Sequence, residues 1–198
     1  MRNRQAEAVK QLTDRELLLN VYLTQGILLL LAALVGSLLF RDIVFFLELI
    51  EFSWIEIIVL GGGTAFLVIG IDLLLMHLLS EEMLDDGGIN ERIFSRLSVS
   101  HIFILSAIIS FSEELLFRGV IQTYFGLIFS SLLFAFIHVR YLSKPVLFIS
   151  VVGISFLIGI LYEVTGNLLS TITAHFLIDF IMGCFIKKKA RMSLHHER

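Results

Sequence analysis

The stretch "HIFILSAIISFSEELLFRGVIQTYF", residues 101–125, decides how this chain folds. It is long and apolar enough to cross a membrane, since a span needs roughly 20 apolar residues. Yet it carries Glu113, Glu114 and Arg118, which are expensive in a lipid-facing helix. Charges inside a span usually face the interior of a helical bundle and mark a functional path or site. The stretch therefore predicts a membrane bundle with a polar interior.

The whole composition agrees with a membrane protein. Hydrophobic residues make up 57% of the 198 residues and charged residues only 17%, whereas soluble domains are nearer a half and a quarter. A net charge of -3 is too small to indicate a nucleic-acid partner. The single cysteine, Cys184, excludes an intrachain disulfide and a cysteine metal cluster. We predict one compact domain embedded in the lipid bilayer.

Apolar runs predict an all-α polytopic transmembrane helical bundle of about six spans. The fourth run is short, which a tilted helix or a locally thin bilayer would accommodate. Residues 43–54 are apolar but contain Glu48 and Glu51, so we predict an interfacial segment, with a partial seventh span as the alternative. The six spans are Leu17–Phe40, Ile55–Leu79, Ser98–Tyr124, Leu127–Val139, Val146–Tyr162 and Leu168–Ile186.

The basic residues predict the orientation of the six spans. Cytoplasmic loops of membrane proteins carry an excess of Lys and Arg. Among the fifteen basic residues, only Arg41 falls in a loop on the opposite side and only Arg118 within a span. Both termini are therefore predicted to be cytoplasmic. The residues on that side are Arg2, Arg4, Lys10, Arg15, Arg92, Arg96, Arg140, Lys144, Lys187, Lys188, Lys189, Arg191 and Arg198.

Helical spacing divides the charges of the 101–125 span into two roles. Glu114 and Arg118 are four residues apart, so they share a helix face and can form an ion pair. Glu113 is rotated from Glu114 by about 100° and points elsewhere. His175 and Asp179 are also four residues apart on the last span. We predict that Glu114 and Arg118 support the site while Glu113 takes part in its chemistry.

The depth of these groups provides an independent test of a common site. If the chain turns at Gly126, Glu113 and His138 both lie roughly 18–20 Å below that turn at 1.5 Å per residue. If the next hairpin turns around Gly166, His175 and Asp179 lie roughly 14 and 20 Å below it. The four side chains, from three spans, can then occupy one layer.

A carboxylate and two imidazoles in a water-poor pocket can carry out acid–base chemistry. Water held between Glu113 and His138 could be deprotonated and attack a carbonyl, and His175 could stabilise the oxyanion. The same groups with Asp179 could instead hold a divalent metal such as zinc, because histidine and carboxylate are ordinary zinc ligands. Direct activation of water, with no cofactor required, is the favoured alternative, since the chain has no H-E-x-x-H helix.

Three short motifs together resemble one known family. "EELLFR" (residues 113–118) matches E-E-x-x-x-R, "FAFIH" (134–138) matches F-x-x-x-H and "HFLID" (175–179) matches H-x-x-x-N/D. In this order they resemble the motifs of the CAAX-processing and bacteriocin-processing intramembrane proteases, the CPBP or Abi family. The resemblance covers about residues 98–186, and we interpret Phe134 as a packing residue.

The resemblance implies an intramembrane peptidase whose residues match particular positions here. Glu113 and His138 would activate water, and His175 and Asp179 would support the oxyanion or a metal. Asp179 stands where the eukaryotic prenyl-protein-processing members have asparagine. An aspartate is a weak oxyanion donor unless it is protonated, so this departure favours metal binding or orientation of a histidine.

The predicted organisation follows from the spans and the motifs. Residues 1–16 form a cytoplasmic segment, 17–97 two spans with their loops, 98–186 the catalytic helical core and 187–198 a basic cytoplasmic tail. The expected partners are the lipid bilayer and a membrane-protein or peptide substrate, and the expected location is a bacterial cell membrane. A non-catalytic membrane scaffold or bacteriocin-immunity protein on the same fold is the alternative, and a small transporter is disfavoured by the lack of inverted repeats.

Overall fold

The computed structural model of the chain describes residues 11–40 and 44–196. Within these residues the secondary structure is entirely helical, with no strand, which confirms the predicted all-α class. The helices are α1 (Asp14–Leu39), α2 (Val44–Glu48), α3 (Ile55–Leu78), α4 (Glu81–Leu84), α5 (Ile89–Phe94), α6 (Val99–Phe125), α7 (Leu127–Ile137), α8 (Pro145–Thr165) and α9 (Leu168–His196).

Five of these helices are long and apolar enough to cross a membrane: α1, α3, α6, α8 and α9. They coincide with five of the six predicted spans. The other, α7, is an apolar helix of 11 residues, which rises about 16 Å against a hydrocarbon core of about 30 Å. The predicted bundle is thus confirmed as five long helices and one short helix, and a short 3₁₀ helix, Val139–Tyr141, continues the chain beyond α7.

Local sequence signals set the ends of the helices. Thr13 caps α1 in a capping box with Glu16, which starts the helix slightly before the predicted residue Leu17. Ser98 caps α6 by accepting a hydrogen bond from the His101 amide at 3.1 Å. Both predicted hairpin turns occur at glycines with positive φ, Gly126 at +83° and Gly166 at +64°. Such backbone angles favour glycine because it has no Cβ.

The basic tail predicted at residues 187–198 continues helix α9 as far as His196. Alanine, lysine, arginine and methionine all favour helix, and nothing in "KKKARM" stops it. Lys187 is buried and its ammonium donates to the carbonyls of Ser95, at 3.2 Å, and Leu97, at 2.5 Å. The first residues of the predicted tail are therefore part of the packed bundle.

The segment predicted to be interfacial, residues 43–54, begins at a residue outside the described part. From Val44 it forms the five-residue helix α2, which is too short for a partial span, and then a non-helical stretch to Ser53. Leu49 is buried against the end of the bundle, and its carbonyl accepts a hydrogen bond from the Leu168 amide at 2.8 Å. The segment thus packs across the bundle end where α9 begins.

The polar loops and the described ends of the chain meet at the opposite end of the bundle. This arrangement agrees with termini that share one side, and the side itself stays a prediction for reporter fusions after Lys10 and Lys189 to test. The ion pairs at this end are Arg92–Asp14 (3.0 Å), Arg96–Asp14 (2.9 Å), Arg140–Asp86 (3.6 Å), Lys144–Asp85 (3.7 Å) and Lys189–Glu81 (2.6 Å).

Helix α9 packs against α3, α6 and α8, and so holds the last motif within reach of the others. Apolar side chains fill one of these contacts, with Ala65 and Val68 of α3 buried against Ile178 of α9. Helices α6 and α9 run in opposite directions, since Ile102 near the start of α6 lies against Gly183 near the end of α9. Antiparallel packing places the middles of the two helices, which carry the charged motifs, at one level.

Candidate active site

The backbone of α6 changes at the two glutamates. The helix is regular as far as Glu114 and becomes π-helical over Leu115–Gln122, which includes Arg118. A π-helical turn is wider than an α-helical turn and is frequent at functional sites. Within the regular part, Glu113 and Glu114 are about 100° apart and so reach different neighbours. The sequence pattern did not predict this change of backbone.

Glu114 and Arg118 form the ion pair that their spacing predicts. Arg118 Nε lies 3.2 Å from Glu114 Oε2, and both side chains are completely buried. The angle between these groups is not that of a hydrogen bond, so their attraction is that of opposite charges in contact. Arg118 Nη2 donates to Ser155 Oγ at 3.2 Å, which ties α6 to α8.

Arg118 retains unused hydrogen-bonding capacity. Among the described residues its Nη1 has no hydrogen-bond partner. Its guanidinium carbon lies 5.4 Å from the centre of the Phe134 ring, within the range of a cation–π contact. Buried polar atoms are usually hydrogen-bonded. The unpaired Nη1 therefore leaves the Arg118 guanidinium with one donor nitrogen available beside the charge cluster.

His175 of α9 joins both glutamates to Asp179. Its Nδ1 lies 2.9 Å from Glu114 Oε1, and an ionised carboxylate can only accept, so Nδ1 carries the proton. This leaves Nε2 facing the other two acids, 3.9 Å from Glu113 Oε2 and 3.7 Å from Asp179 Oδ2. Both distances exceed that of an N–H···O hydrogen bond, so Nε2 is in contact with two acids without being bonded to either.

His138 reaches the same cluster from the end of α7. Its Nδ1 lies 2.7 Å from the Phe134 carbonyl and therefore donates to it, which leaves Nε2 of the neutral ring as an acceptor. The Phe134 ring contacts the rings of both His138, at 4.6 Å, and His175, at 6.3 Å. The structure thus brings Glu113, His175 and Asp179 together directly, whereas His138 joins them across Phe134.

Two residues that the sequence analysis did not single out complete the surroundings of Glu113. Gln25 of α1 is buried, and its Nε2 donates to Glu113 Oε1 at 3.4 Å. Its Oε1 accepts from Ser112 Oγ at 2.5 Å, which fixes the orientation of the amide. The sequence signal that could have identified Gln25 is a glutamine within an apolar run, because polar groups in membrane spans turn toward the interior of the bundle.

Burial decreases along the cluster in one direction. Glu114 and Arg118 are fully buried, the side chains of Glu113 and His175 are 11% and 10% exposed, and that of Asp179 is 27% exposed. Since Asp179 follows His175 along α9, the cluster opens toward the end of the bundle where the polar loops meet.

The side chains of the cluster do not form a ready metal site. Among the described residues, no group of three or more His, Cys, Asp or Glu side chains comes together as the ligands of a metal ion do. The arrangement of these side chains therefore does not fit a bound metal ion.

Comparison with known proteins places the chain in a family. Residues 95–181 match the family model described as "Type II CAAX prenyl endopeptidase Rce1-like", and this range holds all three motifs. The chain is 45% identical over 176 residues to the "Uncharacterized protein YpbD" of Bacillus subtilis (strain 168), an alignment that covers 88% of this chain and 93% of the relative. No solved structure matches the chain. The long apolar helices and the bacterial relative make it an integral membrane protein of bacteria, and it belongs to the Rce1-like family of CAAX proteases.

Proposed function

We propose that this protein is an intramembrane endopeptidase that hydrolyses a peptide bond of a membrane-associated protein or peptide with water activated by Glu113. The observation that carries the proposal is the position of the Glu113 carboxylate. It is buried inside the bundle, receives a hydrogen bond from Gln25 and lies 3.9 Å from His175 Nε2. The carboxylate is thus held between Gln25 and His175, and the less buried side of the cluster, at Asp179, gives water and substrate access to it.

In the first step, water enters between Glu113 and His138. Glu113 takes a proton from the water, while His138 Nε2 accepts the second water hydrogen and orients the oxygen. The oxygen attacks the peptide carbonyl carbon, and the carbonyl π-bond opens to give a tetrahedral intermediate with one negative oxygen. The protein side chains provide both the base and the orientation for this step.

His175 is placed to stabilise the oxyanion. In its protonated form it donates from Nδ1 to Glu114 and from Nε2 to the negative oxygen. Asp179, 3.7 Å from Nε2, orients the ring, and the Glu114–Arg118 pair holds its other nitrogen. The intermediate then collapses: the peptide C–N bond breaks, and the proton on Glu113 passes to the leaving amine.

The experiment is the substitution Glu113→Gln in the full-length membrane protein. Glutamine keeps the size and polarity of the side chain but cannot take a proton. Loss of a general base costs about 10²–10⁴-fold in rate, so cleavage should fall by that factor while the protein remains folded. The inactive variant is used to trap peptides from native membranes, which mass spectrometry identifies, and wild type is then assayed on the captured peptides.

Glu163→Gln is the matched control, because Glu163 lies at the far end of α8 and accepts a hydrogen bond from Gln122 outside the cluster. The Glu163→Gln protein should cleave at the wild-type rate. Full activity of the Glu113→Gln protein would rule out Glu113 as the base that activates water. A wild type that captures the peptide without cutting it would assign the chain to a non-catalytic scaffold or immunity role.

Chelation tests the metal question separately. A mechanism built on Glu113 and the two histidines predicts full activity after exhaustive treatment of the purified protein with a strong chelator. Metal analysis of the treated protein confirms that the ion has been removed. If activity is lost and zinc restores it, the cluster binds a metal instead. The ligands would then be Glu113, His138, His175 and Asp179, and their side chains would have to rearrange to reach the ion.

A further inference from the structure

One hydroxyl beside the proposed site lacks a partner. Ser106 of α6 is fully buried, and among the described residues its Oγ makes no hydrogen bond. The neighbouring serines differ: Ser110 Oγ donates to the Ala107 carbonyl at 3.2 Å, and Ser112 Oγ donates to Gln25. A buried polar atom without a partner is destabilising, so the surroundings of Ser106 are informative.

The register between α6 and α9 shows what Ser106 faces. At one end of the contact, Ile102 lies against Gly183, and at the other end Glu114 lies beside Thr171. The two helices are antiparallel, so each step of about one turn along α6 corresponds to one turn back along α9. Ser106 is four residues after Ile102, and Asp179 is four residues before Gly183. Counted from the other end, Ser106 is eight residues before Glu114 and Asp179 eight residues after Thr171, so both counts place Ser106 level with Asp179.

The face of α6 agrees with this register. Tyr22 and Gln25 of α1 contact His101 and Ser112, which defines the side of α6 that packs on α1. Phe103 and Glu114 define the side toward α9, since they contact Phe176 and His175. Ser106 is rotated by about 60° and 80° from these two residues but by about 140° from His101. Its hydroxyl therefore lies between α6 and α9.

We propose that Ser106 is a positioning residue for Asp179. Its hydroxyl donates to one bridging water molecule, which donates in turn to the Asp179 carboxylate and keeps that carboxylate beside His175 Nε2. A hydroxyl can donate and an ionised carboxylate can only accept, so a water molecule between them is bonded at both ends, and its bond to the carboxylate is of the stronger, charge-assisted kind. The inference rests on the proposed function, in which Asp179 orients His175.

The test compares Ser106→Ala with Ser110→Ala in the full-length protein. The assay is cleavage of a peptide recovered with the Glu113→Gln trap, and kcat and KM are determined separately. Hydrogen bonds to charged groups contribute enough that Ser106→Ala should lower kcat by roughly 10-fold or more, with KM unchanged. Ser110→Ala, equally buried on the same helix but with a hydroxyl already bonded to its own backbone, should keep the wild-type kcat.

A double-mutant cycle separates positioning from packing. In an Asp179→Ala background, measured by single-turnover cleavage, Ser106→Ala should cause no further loss, because the residue through which it acts is gone. An equal loss in both backgrounds, or a wild-type kcat for Ser106→Ala, would overturn the inference. The proposed function fails by a different result, full activity of Glu113→Gln, so the two failures are distinguishable.

Discussion

The bundle contains two buried polar clusters that differ in how completely their atoms are paired. At the end where α9 begins, Asn167 is 1% exposed and uses its whole amide. Its Nδ2 donates to the Glu51 carbonyl at 2.7 Å and to Glu56 Oε2 at 2.8 Å, and its Oδ1 accepts from the amides of Glu51 and Leu169. An amide has two donor hydrogens and two acceptor lone pairs, so Asn167 is satisfied.

The polar atoms of the cluster around Glu113 are only partly paired. Glu114 and Arg118 are in contact, but Arg118 Nη1 has no hydrogen-bond partner among the described residues. His175 Nε2 stands 3.9 and 3.7 Å from two acids. Fully paired buried groups rigidify a fold, whereas groups left short of a hydrogen bond retain capacity for a ligand or a transition state. The comparison supports a structural role for the cluster around Asn167 and the proposed chemical role for the cluster around Glu113.

The largest expected effect on stability is that of breaking the ion pair between Glu114 and Arg118. Glu114→Gln leaves the Arg118 charge buried without a counterion, and breaking a buried ion pair costs about 3–5 kcal/mol. The free energy of unfolding in detergent should fall by that amount, and cleavage should fall with it because the partner of His175 loses its negative charge. Glu163→Gln should change neither quantity. A Glu114→Gln protein as stable as wild type would show that the pair contributes nothing.

Asn167→Ala should affect stability and spare the chemistry. It removes all four side-chain hydrogen bonds and leaves the part-buried amide and carbonyl of Glu51 without this partner, at about 1–3 kcal/mol. Trp54, the single tryptophan, lies close in sequence to this region and reports its unfolding by fluorescence. Asn20→Ala, on an exposed position of α1, is the control. A loss of kcat in the folded Asn167→Ala protein would contradict a purely structural role.

The smallest effect is expected at Gln25. Its hydrogen bond to Glu113 is long, at 3.4 Å, so Gln25→Leu should lower kcat only a few-fold, as a weak hydrogen bond of roughly 1 kcal/mol implies. Gln122→Leu makes the same change at a buried glutamine remote from Glu113 and should leave kcat unaltered. Equal loss in both variants would mean that a buried glutamine matters for packing and not for the base.

Periodicity and spacing predicted much of this architecture because their causes are local. The apolar runs gave the five long helices, Gly126 and Gly166 gave the two hairpin turns, and four-residue spacing gave the pair of Glu114 with Arg118. The short length of α7 could also be predicted, from the short apolar run that forms it. The π-helical stretch after Glu114 could not be predicted, because the widening of a helix depends on what packs against it as well as on its own residues.

Apolar length and helical period act within single helices, so they sufficed to predict a membrane helical bundle and the charged residues in its interior. Three features follow from the packing of the helices instead: Gln25 meets Glu113, Phe134 lies between His138 and His175, and Ser106 has no partner among the described residues. These contacts join residues far apart in sequence. They depend on the rotation and register of packed helices, which no single helix specifies.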